Sequence, residues 1–349
     1  LRFFYLILVI VSSLNLQAKL EYAAYPSAGY TTETGFYVGA LSYLRYSQLQ
    51  NDSRASGLYL SSTFSEKKQF FGLIEPIVYY ADWRWKISLI FKKWPATYYG
   101  TGMNTNREVS EDFTSRETDI RLDVMRKLMN RWFGELHYAW NDFEVIRMVD
   151  AGMLQSDAHP GLEKHNSVGL GASLIFDDRD SESFPAKGGL YTLKVMDYSS
   201  LVKSDYTSQE IKLDLRRYQA INLQHTIALQ ILIARNFGDS PIEKFYKLND
   251  NLRGVTSDLY IDKSIVAVRF EDRFFPWQML PEKRFGLVIF AEIGEVASNW
   301  SDFRLSDLQL NGGMGFRYSL FVENRLNLRI DFGFGETIAN ISIGTGEAF

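Results

Sequence analysis

The chain has 349 residues, with 42 acidic and 38 basic side chains, a formal net charge of -4 and no cysteine. That balance gives no clustered Lys and Arg to displace phosphate counterions, so nucleic acid is dropped as a partner. The missing thiols exclude disulfides, thiolate metal sites and lipid attachment at an N-terminal cysteine. Beyond the first residues there is no run of eighteen apolar residues, which excludes helical membrane spans.

The first element is Leu1 to Val11, an apolar stretch carrying Arg2 and followed by Ser12, Ser13 and Leu16-Gln17-Ala18. Its charge, length and small-residue ending fit an export signal. Residues 1–18 are therefore expected to be a signal peptide, and 19–349 one mature domain with no separate module ahead of it.

From Leu20 onward the chain alternates with the period of strands that have two different faces. Strands are predicted near 22–31, 35–46, 55–65, 69–80, 83–94, 115–128, 132–144, 165–177, 188–199, 207–221, 225–237, 262–273, 284–296, 311–319, 325–335 and 338–349. Ile120, Leu122 and Val124 oppose Asp119, Arg121 and Asp123; Ile211, Leu213 and Leu215 oppose Glu210, Lys212, Asp214 and Arg216. Ile227, Leu229, Ile231 and Ile233 oppose Thr226, Ala228, Gln230 and Ala234. Alternation alone fits a soluble sandwich as well as a membrane barrel. Three features favour the barrel. No amphipathic helix is available to cover the oily faces. Aromatics gather near strand ends, at Tyr79, Tyr80, Trp83, Trp85, Trp94, Tyr98 and Tyr99, as in an interfacial girdle. The last predicted strand ends on an aromatic, Phe349.

The fold expected is thus all-β, a transmembrane antiparallel β-barrel of about sixteen strands, the even count that single-chain bacterial barrels use. Long links at 95–114, 145–164, 238–261 and 297–310 fall on one side, read as outer. Short links at 81–82, 129–131, 222–224 and 320–324 fall on the other. The sixth outer loop is then 238–261, with Asn249 to Val255 as its tip and Gly254 expected to take a positive φ there. On the following strands, Arg269, Glu271 and Arg273, and then Phe290, Glu292 and Gly294, face the lumen.

An inner turn carries Asp177, Asp178, Asp180 and Glu182. Lacking the spacing and glycine of a calcium loop, it reads as a hydrogen-bonded turn closed by Pro185 and Gly188. Of His137, His159, His165 and His225, His137 lies on a lumenal face near Glu135 and Asn141, and no Ser or Asp at a recognisable spacing completes a nucleophilic set. No enzyme, cofactor or metal is expected. Pro26, which cannot donate to a ladder, and Gly344 and Gly346 weaken the first and last strands where they must close.

Taken in order, several pieces resemble the BamA/TamA superfamily of outer-membrane barrels, also called the bacterial surface antigen family. They are Asp177-Asp-Arg-Asp180 with Pro185 and Gly188, Leu252-Arg253-Gly254, Phe290-Ala-Glu-Ile-Gly294, and the closing Gly313-Met-Gly-Phe-Arg317, Leu328-Arg-Ile-Asp331 and Ile341-Ser-Ile-Gly344. The resemblance covers nearly the whole mature chain. Glu292 stands where the family usually has Asp, and Val255 where an aromatic usually follows the Gly. The resemblance implies that the sixth loop folds into the lumen and that Arg253 meets Glu271 and Glu292, a task suited to a planar guanidinium that keeps its proton. It also implies a gate at the seam between first and last strands, where a substrate strand would add to an exposed edge. It implies outer-membrane lipid, unfolded β-barrel clients and, with no periplasmic POTRA domain in this chain, a separate periplasmic partner; the barrel itself is expected to be a monomer. Two other functions stay open on the residues. One is a passive or ligand-selective pore whose charge is set by Asp119, Arg121, Asp123, Lys212, Asp214, Arg216, Arg329 and Asp331; the other is a structural or surface barrel that transports nothing.

Overall fold

A computed structural model describes residues 19–31, 35–47, 56–255, 258–276, 284–321, 326–335 and 340–349; the expected signal peptide lies outside them. Sixteen strands form one antiparallel sheet, each pairing with the next in the chain. The first eight are β1 (Lys19–Thr31), β2 (Gly35–Ser47), β3 (Ser56–Ser65), β4 (Phe70–Tyr80), β5 (Trp83–Tyr98), β6 (Glu111–Met129), β7 (Trp132–Arg147) and β8 (His165–Asp177). The second eight are β9 (Lys187–Tyr198), β10 (Ser208–Ala220), β11 (His225–Gly238), β12 (Ser264–Phe274), β13 (Phe285–Ala297), β14 (Gln309–Phe321), β15 (Leu326–Phe334) and β16 (Asn340–Thr345). A helix of one turn, α1 (Met153–Ser156), stands in the fourth outer loop.

The two faces of this sheet are inverted relative to a soluble protein. Ile289 and Ile343 are 66% and 70% exposed, whereas Glu292 and Asp331 are 1% and 0% exposed. Leu136, Leu170, Ile211, Phe270 and Phe316 join the exposed apolar side; Asn141, Asp214, Gln230, Glu271 and Arg317 join the buried polar side. Water on the outer face would leave this apolar surface uncovered on strand after strand, and hydrocarbon covers it. The sheet is therefore the wall of a transmembrane β-barrel with a polar lumen. No helix among the described residues is long and apolar enough to cross a membrane.

Among the described residues no ladder joins β1 to β16, so the sheet has two edges. They come round toward each other: Tyr59 on β3 reaches Thr345 at the end of β16. Pro26 is paired opposite Ala40 in the β1–β2 ladder, and Gly344 lies opposite Arg329 in the β15–β16 ladder.

Three expectations are corrected. The last strand does not run to Phe349; it stops at Thr345, and Gly346 takes a φ of 77° that turns the remaining residues into the lumen. Phe349 is 6% exposed there, because cationic side chains inside the barrel offer its ring a better partner than lipid does. Tyr98 is not a girdle residue. β5 and β6 extend beyond their predicted ends, to Tyr98 and from Glu111, and Tyr98 is buried with Leu154, Ile242, Phe245 and Ile261 in an apolar cluster where the third, fourth and sixth loops meet. Its hydroxyl donates to Asp157 at 2.7 Å. Finally, Gly254 does not take a positive φ; its requirement is space, described below.

Candidate functional site: the lumenal arginine cluster

The sixth loop runs inward from β11. Tyr246–Lys247 pair with Ile261–Asp262 in a small ladder, so the segment between them hangs as a hairpin inside the barrel. Its apolar residues Leu248, Leu252, Val255, Leu259 and Tyr260 pack on Leu232, Ala234, Ile265, Ala267 and Val296, the inward-facing side chains of β11, β12 and β13. Fully burying a leucine contributes about 1.5–3 kcal/mol, so Leu248 and Leu252 alone, both 0% exposed, hold the hairpin firmly against the wall. From the side, the third loop clasps it: Thr105 Oγ1 donates to the Leu259 carbonyl at 2.8 Å and Gly102 N–H to the Ile261 carbonyl at 2.9 Å.

At the tip, the Arg253 guanidinium sits among three carboxylates from three strands. It approaches Glu271 on β12 and Glu292 on β13 at 2.7 Å each, and Asp331 on β15 at 3.1 Å. Its backbone N–H also donates to Glu292 at 2.6 Å. The guanidinium carbon lies 3.5 Å from the centre of the Phe290 ring, a cation–π contact strengthened by the burial of both side chains. The planar fork lets one cation bond several carboxylates, which a lysine could not do in that geometry.

The docking depends on missing side chains. A Cβ on Gly254 would lie 2.8 Å from Asn311 on β14, and one on Gly333 of β15 would lie 2.5 Å from the Arg253 carbonyl. Leu252 is buried beside Gly294, whose Cβ would meet Leu252 and Leu248 at 3.2 and 3.1 Å. Asn340 on β16 donates to the Arg253 carbonyl at 3.1 Å and to that of Val255 at 3.4 Å. The loop tip thus reaches across the wall from β12 to the last strand.

Residues that sequence reasoning did not place here extend the cluster. Arg269 bonds Glu292 at 3.2 Å, Arg273 bonds Glu271 at 2.8 Å, Arg317 bonds Asp331 at 2.5 Å, and Arg329 approaches Asp331 at 3.3 Å. The residues after β16 complete it. Glu347 accepts from Arg317 at 2.8 Å, the Ala348 carbonyl from Arg269 at 3.2 Å and the Phe349 carbonyl from Arg273 at 3.0 Å. The Phe349 ring lies 4.9 Å from Arg269 and 5.4 Å from Arg273. Five arginines and four carboxylates are joined in all. Inward alternation on β12, β14 and β15 was the available signal for the wall members; nothing in the sequence pointed to Glu347.

The acidic inner turn is a hydrogen-bonded structure. Asp177 grips Arg179 at 2.9 Å through two nitrogens, Asp178 accepts from Gly189 N–H at 2.6 Å, and Asp180 accepts from the N–H groups of Ala186 and Lys187 at 2.9 and 3.1 Å. Pro185 is buried in this turn. Gly188 has a φ of 91° and no room for a Cβ beside the Asp178 carbonyl, so only glycine fits.

His137 has partners that spacing did not reveal: Nδ1 is 2.7 Å from Asp123 and Nε2 is 2.6 Å from Ser173, on β6 and β8. The order is that of a nucleophilic triad. Ser173 is buried at 7% exposure, however, and its backbone is paired with both β7 and β9. The N–H groups that would form an oxyanion hole are thus spent on the sheet. The string is a polar ladder across the wall.

No family model matches the chain, and no curated protein matches it. Among solved structures it is similar to BamA from Haemophilus ducreyi lacking POTRA domains 1-3, with a TM-score of 0.59 at 10% identity, covering 94% of this chain and 69% of that one. It is also similar to CdiB from Acinetobacter baumannii, with a TM-score of 0.56 at 10% identity over 95% of this chain and 58% of that one. The chain has a BamA-like barrel fold. At this identity the likeness is one of fold, and the chain spans only part of the length of either protein.

Proposed function

We propose that the chain works in the bacterial outer membrane as a BamA/TamA-type barrel, in insertion of outer-membrane proteins or translocation of polypeptides through the seam between β1 and β16. The observation that carries this reading is that the last strand and the sixth loop share one set of bonds. Asn340 at the start of β16 holds the loop tip, and Glu347 to Phe349 beyond its end bind the arginines that bind the wall carboxylates around Arg253. A strand held from inside at both ends can leave its edge unpaired without leaving the barrel. In this reading Arg253 braces the wall next to a working edge, unfolded β-barrel clients pair with that edge by strand addition, and a separate periplasmic protein delivers them.

The test uses the absence of native cysteine. One cysteine is placed in β1 and one in β16, and insertion of an unfolded outer-membrane barrel into vesicles containing the protein is followed with and without reductant. Crosslinked barrels are expected to stop inserting clients and to recover on reduction. Equal insertion by both forms refutes a working seam.

A further inference from the structure

A second polar space lies in the lumen away from the arginine cluster. A cavity of about 350 Å³ is lined by the inner faces of β6, β7, β9, β10 and β11 and by residues of the loop segment 243–251. Most charges that line it are already engaged. Asp123 is bound by His137 at 2.7 Å, Glu210 by Lys194 at 3.2 Å and by the Tyr246 hydroxyl at 2.6 Å, and Glu243 by His165 at 2.9 Å. Arg121 is spent on Asp119 at 2.8 Å, and Lys247 on Asp258.

Two ammonium groups are left over. Lys212 projects between Glu210, which is occupied, and Asp214, which is gripped by Arg216 at 2.6 Å and Gln230 at 2.8 Å. Lys244 has its neighbour Glu243 turned toward His165, and its ammonium lies 4.9 Å from the centre of the Tyr198 ring. Among the described residues neither ammonium makes an ion pair within 4.0 Å, and one carboxylate on the lining, Asp250, is likewise unengaged. A cation in a partly desolvated space that lacks an ion-pairing partner in contact is stabilised when an anion joins it.

We propose that this chamber binds a small solute through an oxyanion, a carboxylate or a phosphate, held by Lys212 and Lys244. The volume is in the range of small-molecule sites, about 300–1,000 Å³, and two flexible ammonium groups are suited to a compact oxyanion as point charges. Asp250 opposes such a ligand and selects against solutes of excess negative charge.

The experiment is isothermal titration calorimetry on the full chain folded in detergent, with inorganic phosphate in one series and malonate in the other; the stronger binder identifies the oxyanion. Saturable binding of at least one is expected. Lys212→Met and Lys244→Met should each weaken it about tenfold or more, the order expected for losing a charge-assisted hydrogen bond. Asp250→Asn should tighten binding several-fold, roughly as removal of one nearby repulsive charge does, a gain that a merely structural role would not produce. Absence of saturable binding for both probes, unchanged affinity in a folded lysine variant, or unchanged or weaker binding in Asp250→Asn overturns the proposal. The seam plays no part in these measurements, so they stand independently of client insertion.

Discussion

Replacing Glu271 by Gln should damage the barrel more than removing Arg253, although Arg253 is the residue that anchors the loop. Within the ion-paired cluster, Arg253, Arg269, Arg273, Arg317 and Arg329 face Glu271, Glu292, Asp331 and Glu347, five guanidinium groups against four side-chain carboxylates. Arg253→Met brings this to four against four. Each carboxylate it abandons keeps another arginine: Glu271 keeps Arg273, Glu292 keeps Arg269, and Asp331 keeps Arg317 and Arg329. The loss is then that of the loop's own charge-assisted hydrogen bonds, about 1.5–3 kcal/mol. Glu271→Gln instead leaves five against three at a site that is 0% exposed, and breaking a buried pair so that charge goes uncompensated costs about 3–5 kcal/mol. Urea unfolding of the lipid-reconstituted barrel, followed by tryptophan fluorescence, measures both. The expected order is wild type, then Arg253→Met, then Glu271→Gln. A larger loss for Arg253→Met than for Glu271→Gln refutes this distribution of charge.

Gly333→Ala should undock the loop tip while sparing the wall, because its Cβ meets the Arg253 carbonyl; faster protease cleavage within residues 245–258 of a barrel with unchanged heat-modifiable mobility is the result to look for. Phe349→Ala removes a buried ring from Arg269 and Arg273 and should lower the unfolding free energy by about 3–5 kcal/mol; wild-type stability would mean that the inward turn at Gly346 contributes nothing. Burial holds His159 below the usual histidine value of 6.5, against the raising influence of Asp157 and Asp262. The unfolded chain therefore binds the proton first, and the stability that the neutral ring contributes is present above pH 6.5 and lost as pH falls below it. Protection factors of residues 150–162, taken relative to the intrinsic exchange rate at each pH, should fall between pH 7.5 and 5.5, and His159→Gln should abolish the difference.

Alternation made the wall legible, since a strand with one face in hydrocarbon and one in a wet lumen writes period two directly into the chain. It also put Arg269, Glu271, Arg273, Glu292 and Asp331 on the inside. What it could not supply is cross-strand register, and so which of these charges meet. Asp123, His137 and Ser173 come together because His137 lies opposite both Asp123 and Gly171, a pairing no spacing encodes. The inward turn at Gly346 went unread although Gly344 and Gly346 interrupt the last strand, because Phe349 reads as a lipid-facing aromatic. One signal was present and unused. Ile231-Leu232-Ile233 and Ile265-Val266-Ala267 are apolar on both faces, as strands are when each side is covered, and the inner cover is the sixth loop.

That doubly apolar patch makes the hairpin part of the barrel's own folding unit. A wall assembled without it would turn Leu232 and Ile265 toward lumenal water, a penalty of roughly 3–6 kcal/mol for the two side chains. Docking of the loop and formation of β11 to β13 are thus a single cooperative transition, and the lumen has no stable empty form for the loop to enter afterwards.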